Sequence, residues 1–244
     1  MPETSLDDKM NTLPATNDPR IASGMKRQLS LRREWLRAGK KPLGWKLAFG
    51  GPAAMQRLQI NAPLVGCLMA DAVVPSGSAI SVGSWVKPAA EPELTVYLGA
   101  DLLANSDRQT TMSAISALGA GIEIADVDHP SEDVEGTLAG DIYQRHLILG
   151  EPDSSRAGGG LTGLKARVFR NHELLADTTD FEALTGELIH IVTHTANLLS
   201  AFGETLRAGE LIIAGSLTPP IWVAPGDTVQ FHLQPLEPLS VSFH

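Results

Sequence analysis

One cysteine, Cys67, stands among 244 residues, so no disulfide can form within the chain. Basic residues are also scarce. Nineteen Lys and Arg face 28 Asp and Glu, leaving a formal net charge of −9 and a pI near 5.2. That balance argues against a broad basic surface for nucleic acid or anionic membrane. An anionic ligand would have to be drawn by local cations or by a metal. No apolar run approaches the roughly 20 residues needed to span a bilayer, and no basic, apolar and small-residue signal pattern opens the sequence. The expectation is a soluble protein of the reducing cytoplasm. What the chain does have is 43% apolar residues, ample for one principal domain with a packed core.

Residues 1–17 are polar and aperiodic and read as a disordered tail ahead of a single domain over 18–244. Asp18 as N-cap and Pro19 at the first helical position predict a helix over 18–38, with Ile21, Met25, Leu29 and Leu36 on one face and a stop at Gly39. Strand-like pieces follow at 43–49, 64–69, 93–99, 121–127 and 146–150, with a short helix around 110–118 between the third and fourth. Residues 164–177 alternate like a hairpin turning at Asn171-His172. Apolar residues at 181, 184, 188, 191, 195, 198 and 202 predict a helix closed by Gly203. Strands at 210–216, 227–233 and 239–243 follow, with a Pro-Gly turn at 225–226. One long helix among many short strands points to an α+β domain with a strongly curved sheet.

The stretch "KPAAEPELTVYLGADL" sets Glu91 and Glu93 one residue apart in a strand-like run. Residues i and i+2 of a strand share a face, and Pro92 holds Glu91 extended, so both carboxylates converge. Glu123 lies inside a second apolar run, "GAGIEIADV". Either the three acids lie on a solvated face, or they bind one hard divalent cation such as Mg²⁺ or Mn²⁺, whose open positions would take water and substrate. Lys46, between Trp45 and Leu47, either snorkels to solvent or directs its ammonium into a pocket. Ser216 and Thr218, in "AGSLTPP", end a strand with two hydroxyls and make either a turn or a carboxylate cradle.

Other motifs are weaker. His190 and His194 have zinc-helix spacing, but Ile191 stands where the glutamate of that motif belongs. "GGGLTG" (158–163) is not a strand-to-helix turn and reads as a loop. The acidic run from Asp126 to Glu135 lacks the spacing of a calcium loop, although Asp126 is near enough in sequence to brace Glu123.

The order of "GWKLAF", "MQRLQINAPLVGCLMAD", "EPELTVYLGADL", "IEIAD", "LAGDIYQRHLILG" and the closing stretch from "LRAGELIIAGSLTPP" resembles the fumarylacetoacetate hydrolase superfamily. The resemblance covers roughly 43–243 and leans to the branch of 2-keto-4-pentenoate hydratases and 4-oxalocrotonate decarboxylases. It implies a mixed, rolled β-sheet with a few flanking helices and a Mg²⁺ or Mn²⁺ ion held by Glu91, Glu93 and Glu123. It also implies Lys46 as the catalytic and substrate-binding lysine, and Ser216 with Thr218 as substrate ligands. The substrate would be a small 2-oxo or 2-hydroxy-2,4-dienoic acid from aromatic ring cleavage. A hydratase would ketonise it and add water, a decarboxylase would lose carbon dioxide, and both pass through an enolate that the chelated ion stabilises.

A carbon–carbon bond hydrolase fits less well, because hydrolase members place an N-terminal histidine and this chain has none before His129. A non-catalytic partner of an active paralogue is the fourth reading, and a homo-oligomer is implied. Three places depart from the branch pattern: Gly140-Asp141 where Asp-Asn is usual, Val127-Asp128 in place of Ser-Arg, and Leu64 in place of an acid. They spare the three glutamates and alter their surroundings, which leaves the reaction open.

Overall fold

In the computed structural model, which describes residues 17–244, the chain opens with the helix its caps predict. Asp18 accepts a hydrogen bond from the Arg20 amide, Pro19 sits in the first turn, and α1 runs Pro19–Arg37. Gly39, at φ +88°, lies just beyond its end. Ile21, Met25 and Leu29 are buried on its inner face, while Leu36 is half-buried. Of the tail expected over 1–17, all but Asn17 lies outside the described residues.

The first half continues with β1 (Pro42–Ala48), α2 (Pro52–Leu58), β2 (Leu64–Met69), β3 (Ser78–Ile80), β4 (Pro88–Leu98), α3 (Arg108–Ala114) and β5 (Ile115–Asp126). Then come α4 (Val134–Ala139), β6 (Gln144–Leu149), β7 (Lys165–Arg170), β8 (Glu173–Thr178) and α5 (Leu188–Ala201). The chain closes with β9 (Leu211–Ser216), β10 (Ile221–Trp222), β11 (Thr228–Gln234) and β12 (Leu239–Phe243).

The larger sheet has the order β2-β1-β9-β4-β5-β6, with β10 also on β4. It is mixed, because β1 and β9 are parallel while their neighbours are antiparallel. The smaller sheet has the order β3-β12-β11-β7-β8. Its hairpin turns at Asn171 and His172, at φ 51° and 69°, the two left-handed residues that a tight hairpin requires. Strands β11 and β12 contact β5 across the core, so the curled, mixed architecture expected from the sequence is present. No helix among the described residues is long and apolar enough to cross a membrane.

Several boundaries differ from expectation. The helical stripe from 181 is realised only from Leu188: Gly186 takes φ +90°, and residues 181–187 are non-helical. The helix expected to 118 stops at Ala114, because Ile115 enters β5. β4 begins at Pro88 rather than 93. Pro92 is tolerated in it because one edge of β4 is shared between β9 and β10, and at that junction Pro92 has only to accept, from the Leu217 amide at 2.9 Å. Two short helices, α2 and α4, were not legible, being 7 and 6 residues long and too short for an apolar stripe.

Candidate active site

Antiparallel pairing of β4 with β5 sets Glu91 opposite Glu123 and Glu93 opposite Gly121. The pleat turns Glu91 and Glu93 to one face, and the three glutamates offer ligand oxygens within 4.8 Å of one another. Glu93 and Glu123 are buried and Glu91 is half-buried. Glu93 is oriented by the Gly215 amide, which donates to its Oε2 at 2.7 Å. Gly215 has φ +100°, and a Cβ there would lie 2.6 Å from Thr185 Cγ2, so glycine is required twice over.

Lys46 comes to the same cavity from β1 and is 1% exposed. Its ammonium donates to the Glu123 carboxylate and to the Ile142 carbonyl at 2.7 Å. Gly66, its partner on β2, makes room for the stem: a Cβ there would meet Lys46 Cγ and Cε at 3.0 Å.

Just after α4, Asp141, Ile142 and Tyr143 take φ 61°, 51° and 64° in succession. A left-handed conformation costs an ordinary residue about 1–2 kcal/mol, and three in a row, one β-branched, must be held in place. Ile142 N donates to Thr137 O at 2.8 Å, Asp141 N to Leu138 O at 3.0 Å, and the Tyr143 hydroxyl to His129 O at 3.1 Å. Asp141 Oδ1 accepts from the Cys67 amide at 2.7 Å. This turn delivers the Ile142 carbonyl to Lys46. Asp141 and Ile142 are the site residues that the sequence did not single out. The one signal was Asp141 standing where Asn is usual, and both residue types tolerate a left-handed backbone.

The charges do not balance. Burial, then the nearby Glu123, pushes the Glu91 carboxyl up to about 7, although Lys46 opposes the rise. Burial and its two acidic neighbours hold Glu93 well above the ordinary range. Burial also raises Asp141 to about 7, against the pull of Lys46 and the Cys67 amide. For Lys46, burial favours the neutral amine, but Glu123, Asp141 and Glu91 outweigh it and keep the ammonium. One lysine cannot neutralise these carboxylates. A trio of converging oxygens with surplus negative charge fits a hard divalent cation, and Glu91, Glu93 and Glu123 are the residues that could hold it.

Ser216 closes β9 opposite Glu93. Thr218 is buried with no hydrogen-bond partner for its Oγ1 among the described residues, and both hydroxyl residues line the cavity of about 530 Å³ that contains the acids. Asp126 does not brace Glu123. Its Oδ1 accepts from the amides of Val86 and Lys87 at 3.0 and 2.8 Å, tying down the entry to β4. His190 and His194 diverge: His194 Nε2 lies 3.0 Å from the Pro63 carbonyl, while exposed His190 pairs with Glu187. The glycine run at 158–163 is a loop.

Comparison with known proteins gives the chain's family and fold. A 2-keto-4-pentenoate hydratase from Dechloromonas aromatica (strain RCB) is 26% identical over 216 residues, covering 86% of this chain and 81% of the relative. A 4-oxalocrotonate decarboxylase from Pseudomonas sp. is 27% identical over 230 residues, covering 91% and 86%. The solved 4-oxalocrotonate decarboxylase from Pseudomonas putida G7, complexed with magnesium and adipate, superposes with a TM-score of 0.84 at 25% identity, covering 98% of this chain and 94% of that one. Residues 47–242 match the model of the fumarylacetoacetate (FAA) hydrolase C-terminal family. From the acid-bearing strands to the closing hairpin, then, this chain belongs to the fumarylacetoacetate hydrolase family of enzymes.

Proposed function

We propose that this chain is a divalent-metal-dependent, hydratase-like lyase acting on a small 2-hydroxy-2,4-dienoic or 2-oxo acid. The observation that carries the reading is the convergence of three carboxylates within 4.8 Å in a cavity that also holds a buried, charged lysine. Mg²⁺ or Mn²⁺ held by Glu91, Glu93 and Glu123 would supply a Lewis acid for negative charge developing on the 2-oxygen of the substrate. Lys46 Nζ keeps its proton and sets a fixed positive charge in the cavity, where it can anchor a substrate anion, while its bond to Glu123 orients that carboxylate. The unpartnered Thr218 hydroxyl and Ser216 suit a substrate carboxylate. Leu184, Pro219 and Pro220 wall the cavity with apolar surface that limits water.

A decarboxylase reaction is the second reading, favoured by the 91% coverage of this chain in the match to the Pseudomonas decarboxylase. Incubation with Mn²⁺ and either 2-hydroxypenta-2,4-dienoate or 2-oxohex-3-enedioate separates the two. Loss of ultraviolet absorbance without carbon dioxide supports the hydratase, and gas release supports the decarboxylase. Absence of both overturns the enzyme proposal in favour of a non-catalytic partner of a paralogue. A cytoplasmic setting is proposed with it, consistent with the free thiol of Cys67. So is a homo-oligomer: edge strand β8 leaves Leu174 and Leu175 exposed, and light scattering tests for self-association.

A further inference from the structure

Three left-handed residues in a row, none of them glycine, put the Ile142 carbonyl 2.7 Å from Lys46 Nζ. A β-branched residue does not choose that conformation by itself, so the turn is only as fixed as the bonds that close it. One threonine grips two of the three residues. Thr137 of α4 is fully buried. Its carbonyl accepts from the Ile142 amide at 2.8 Å, and its hydroxyl lies 3.1 Å from the Tyr143 hydroxyl.

The Tyr143 hydroxyl donates to the His129 carbonyl at 3.1 Å, and a phenol has one proton to give. Thr137 is therefore the donor in the bond between the two hydroxyls. Tyr143 accepts from α4 and donates to the loop that follows β5, so the two segments meet at its oxygen. That loop is itself fastened. His129 Nδ1 lies 2.6 Å from Asp128 Oδ1, Asp128 Oδ2 accepts from Arg145 at 2.9 Å, and the His129 and Tyr143 rings pack with centroids 4.7 Å apart. Val127 and Ser131 of the loop wall the cavity together with Ile142 and Tyr143. The route from this bracing to the reacting centre is the Ile142 carbonyl and Lys46.

We propose that Tyr143 and Thr137 are positioning residues for Lys46: their hydroxyls lock the turn after α4, so that the Ile142 carbonyl shares the Lys46 ammonium with Glu123 and fixes where its charge stands. Without the two hydroxyls, Ile142 relaxes toward ordinary backbone and its carbonyl rotates away. The ammonium is then left to follow Glu123 alone, and no longer faces the substrate from a set place. The proposal rests on the part given to Lys46 in the function proposed above and adds the residues that aim it.

The test is a double-mutant cycle on the full-length, Mn²⁺-loaded protein, using whichever of 2-hydroxypenta-2,4-dienoate and 2-oxohex-3-enedioate it turns over. Tyr143→Phe keeps the ring and removes the hydroxyl, and kcat should fall about tenfold while KM changes less than about threefold. Thr137→Val should behave alike. With Lys46 already replaced by methionine, Tyr143→Phe should cost nothing further, because a residue that acts through the lysine has nothing left to aim. An unchanged kcat in Tyr143→Phe, or a loss as large in the Lys46→Met background as in the parent, overturns the proposal. A second reading is independent of turnover: acetylation of Lys46 by acetic anhydride in metal-free protein, followed by mass spectrometry, should speed up about fivefold in Tyr143→Phe. The control is Tyr97→Phe, which removes the chain's other phenol, 3.4 Å from the Gly150 carbonyl, and should leave Lys46 labelling as it is. Labelling unchanged in Tyr143→Phe, or raised as much in Tyr97→Phe, overturns the proposal. Inactivity of the unaltered protein on both acids overturns the function proposed above, and the labelling then decides by itself whether Tyr143 positions Lys46.

Discussion

Replacing one of the three glutamates should make the metal-free protein more stable. In Glu91→Gln the shape of the side chain is kept and its charge is lost. The Glu91 carboxyl is raised to about 7, first by burial and then by Glu123. An acid whose folded pKa lies above its unfolded value binds its proton more tightly in the native state, so it costs stability as pH rises between the two values. At pH 8 that cost is about 3 kcal/mol, equivalent for a chain of this size to about 6–12 °C in Tm. At pH 5, just above the unfolded pKa, about 1 kcal/mol of the cost remains. Differential scanning calorimetry of EDTA-treated protein should therefore find the variant slightly more stable than the parent at pH 5 and clearly more stable at pH 8. Measuring the difference between the two proteins removes shared contributions, such as those of His146 and His194, whose imidazoles burial pushes down. Mn²⁺ should reverse the order: at a hundredfold excess over its dissociation constant it adds about 3 kcal/mol to the parent, and much less to the variant. A Glu91→Gln protein that is less stable than the parent at pH 8 without metal, or that gains as much from Mn²⁺, would refute the idea of an uncompensated acid cluster built for a cation.

Three further outcomes follow from neighbouring geometry. Lys46→Met should lower turnover about a hundredfold or more while Mn²⁺ affinity, followed by calorimetry, changes little; equal loss of both would make Lys46 structural. Gly66→Ala should press a methyl against Lys46 Cγ and Cε, costing about 1–3 kcal/mol in chemical denaturation and moving the Lys46 tip, so kcat should fall more than KM rises. Asp227 is held below the ordinary range: burial raises its pKa, but the bonds from Arg170, Asn171 and the Ala224 amide outweigh it. It therefore contributes stability above about pH 4 that disappears as pH falls through its folded pKa, and Asp227→Asn should cost about 1–3 kcal/mol at pH 7 but little at pH 3, as urea midpoints would report.

Local rules sufficed for much of this molecule. Asp18, Pro19 and Gly39 delimit α1 because caps act within a turn, and Asn171-His172 marks its hairpin because only a left-handed pair closes so tight a turn. Glu91 and Glu93 share a face because of the strand's period of two, a property no fold can alter. Tertiary pairing decided the rest. Only the β4–β5 register brings Glu123 opposite Glu91, since that register depends on contacts between residues some thirty positions apart. Lys46 could have snorkelled on sequence alone. Gly66 across β2, the Ile142 carbonyl and Glu123 are what hold it inward as a buried ammonium. Asp126 is adjacent in sequence to the acid cluster, yet backbone amides of the β4 entry claim it. Asp141 carried one signal, standing where Asn is usual, and no periodicity or spacing showed what it would hold. Its role comes from the left-handed turn after α4, which the fold alone supplies.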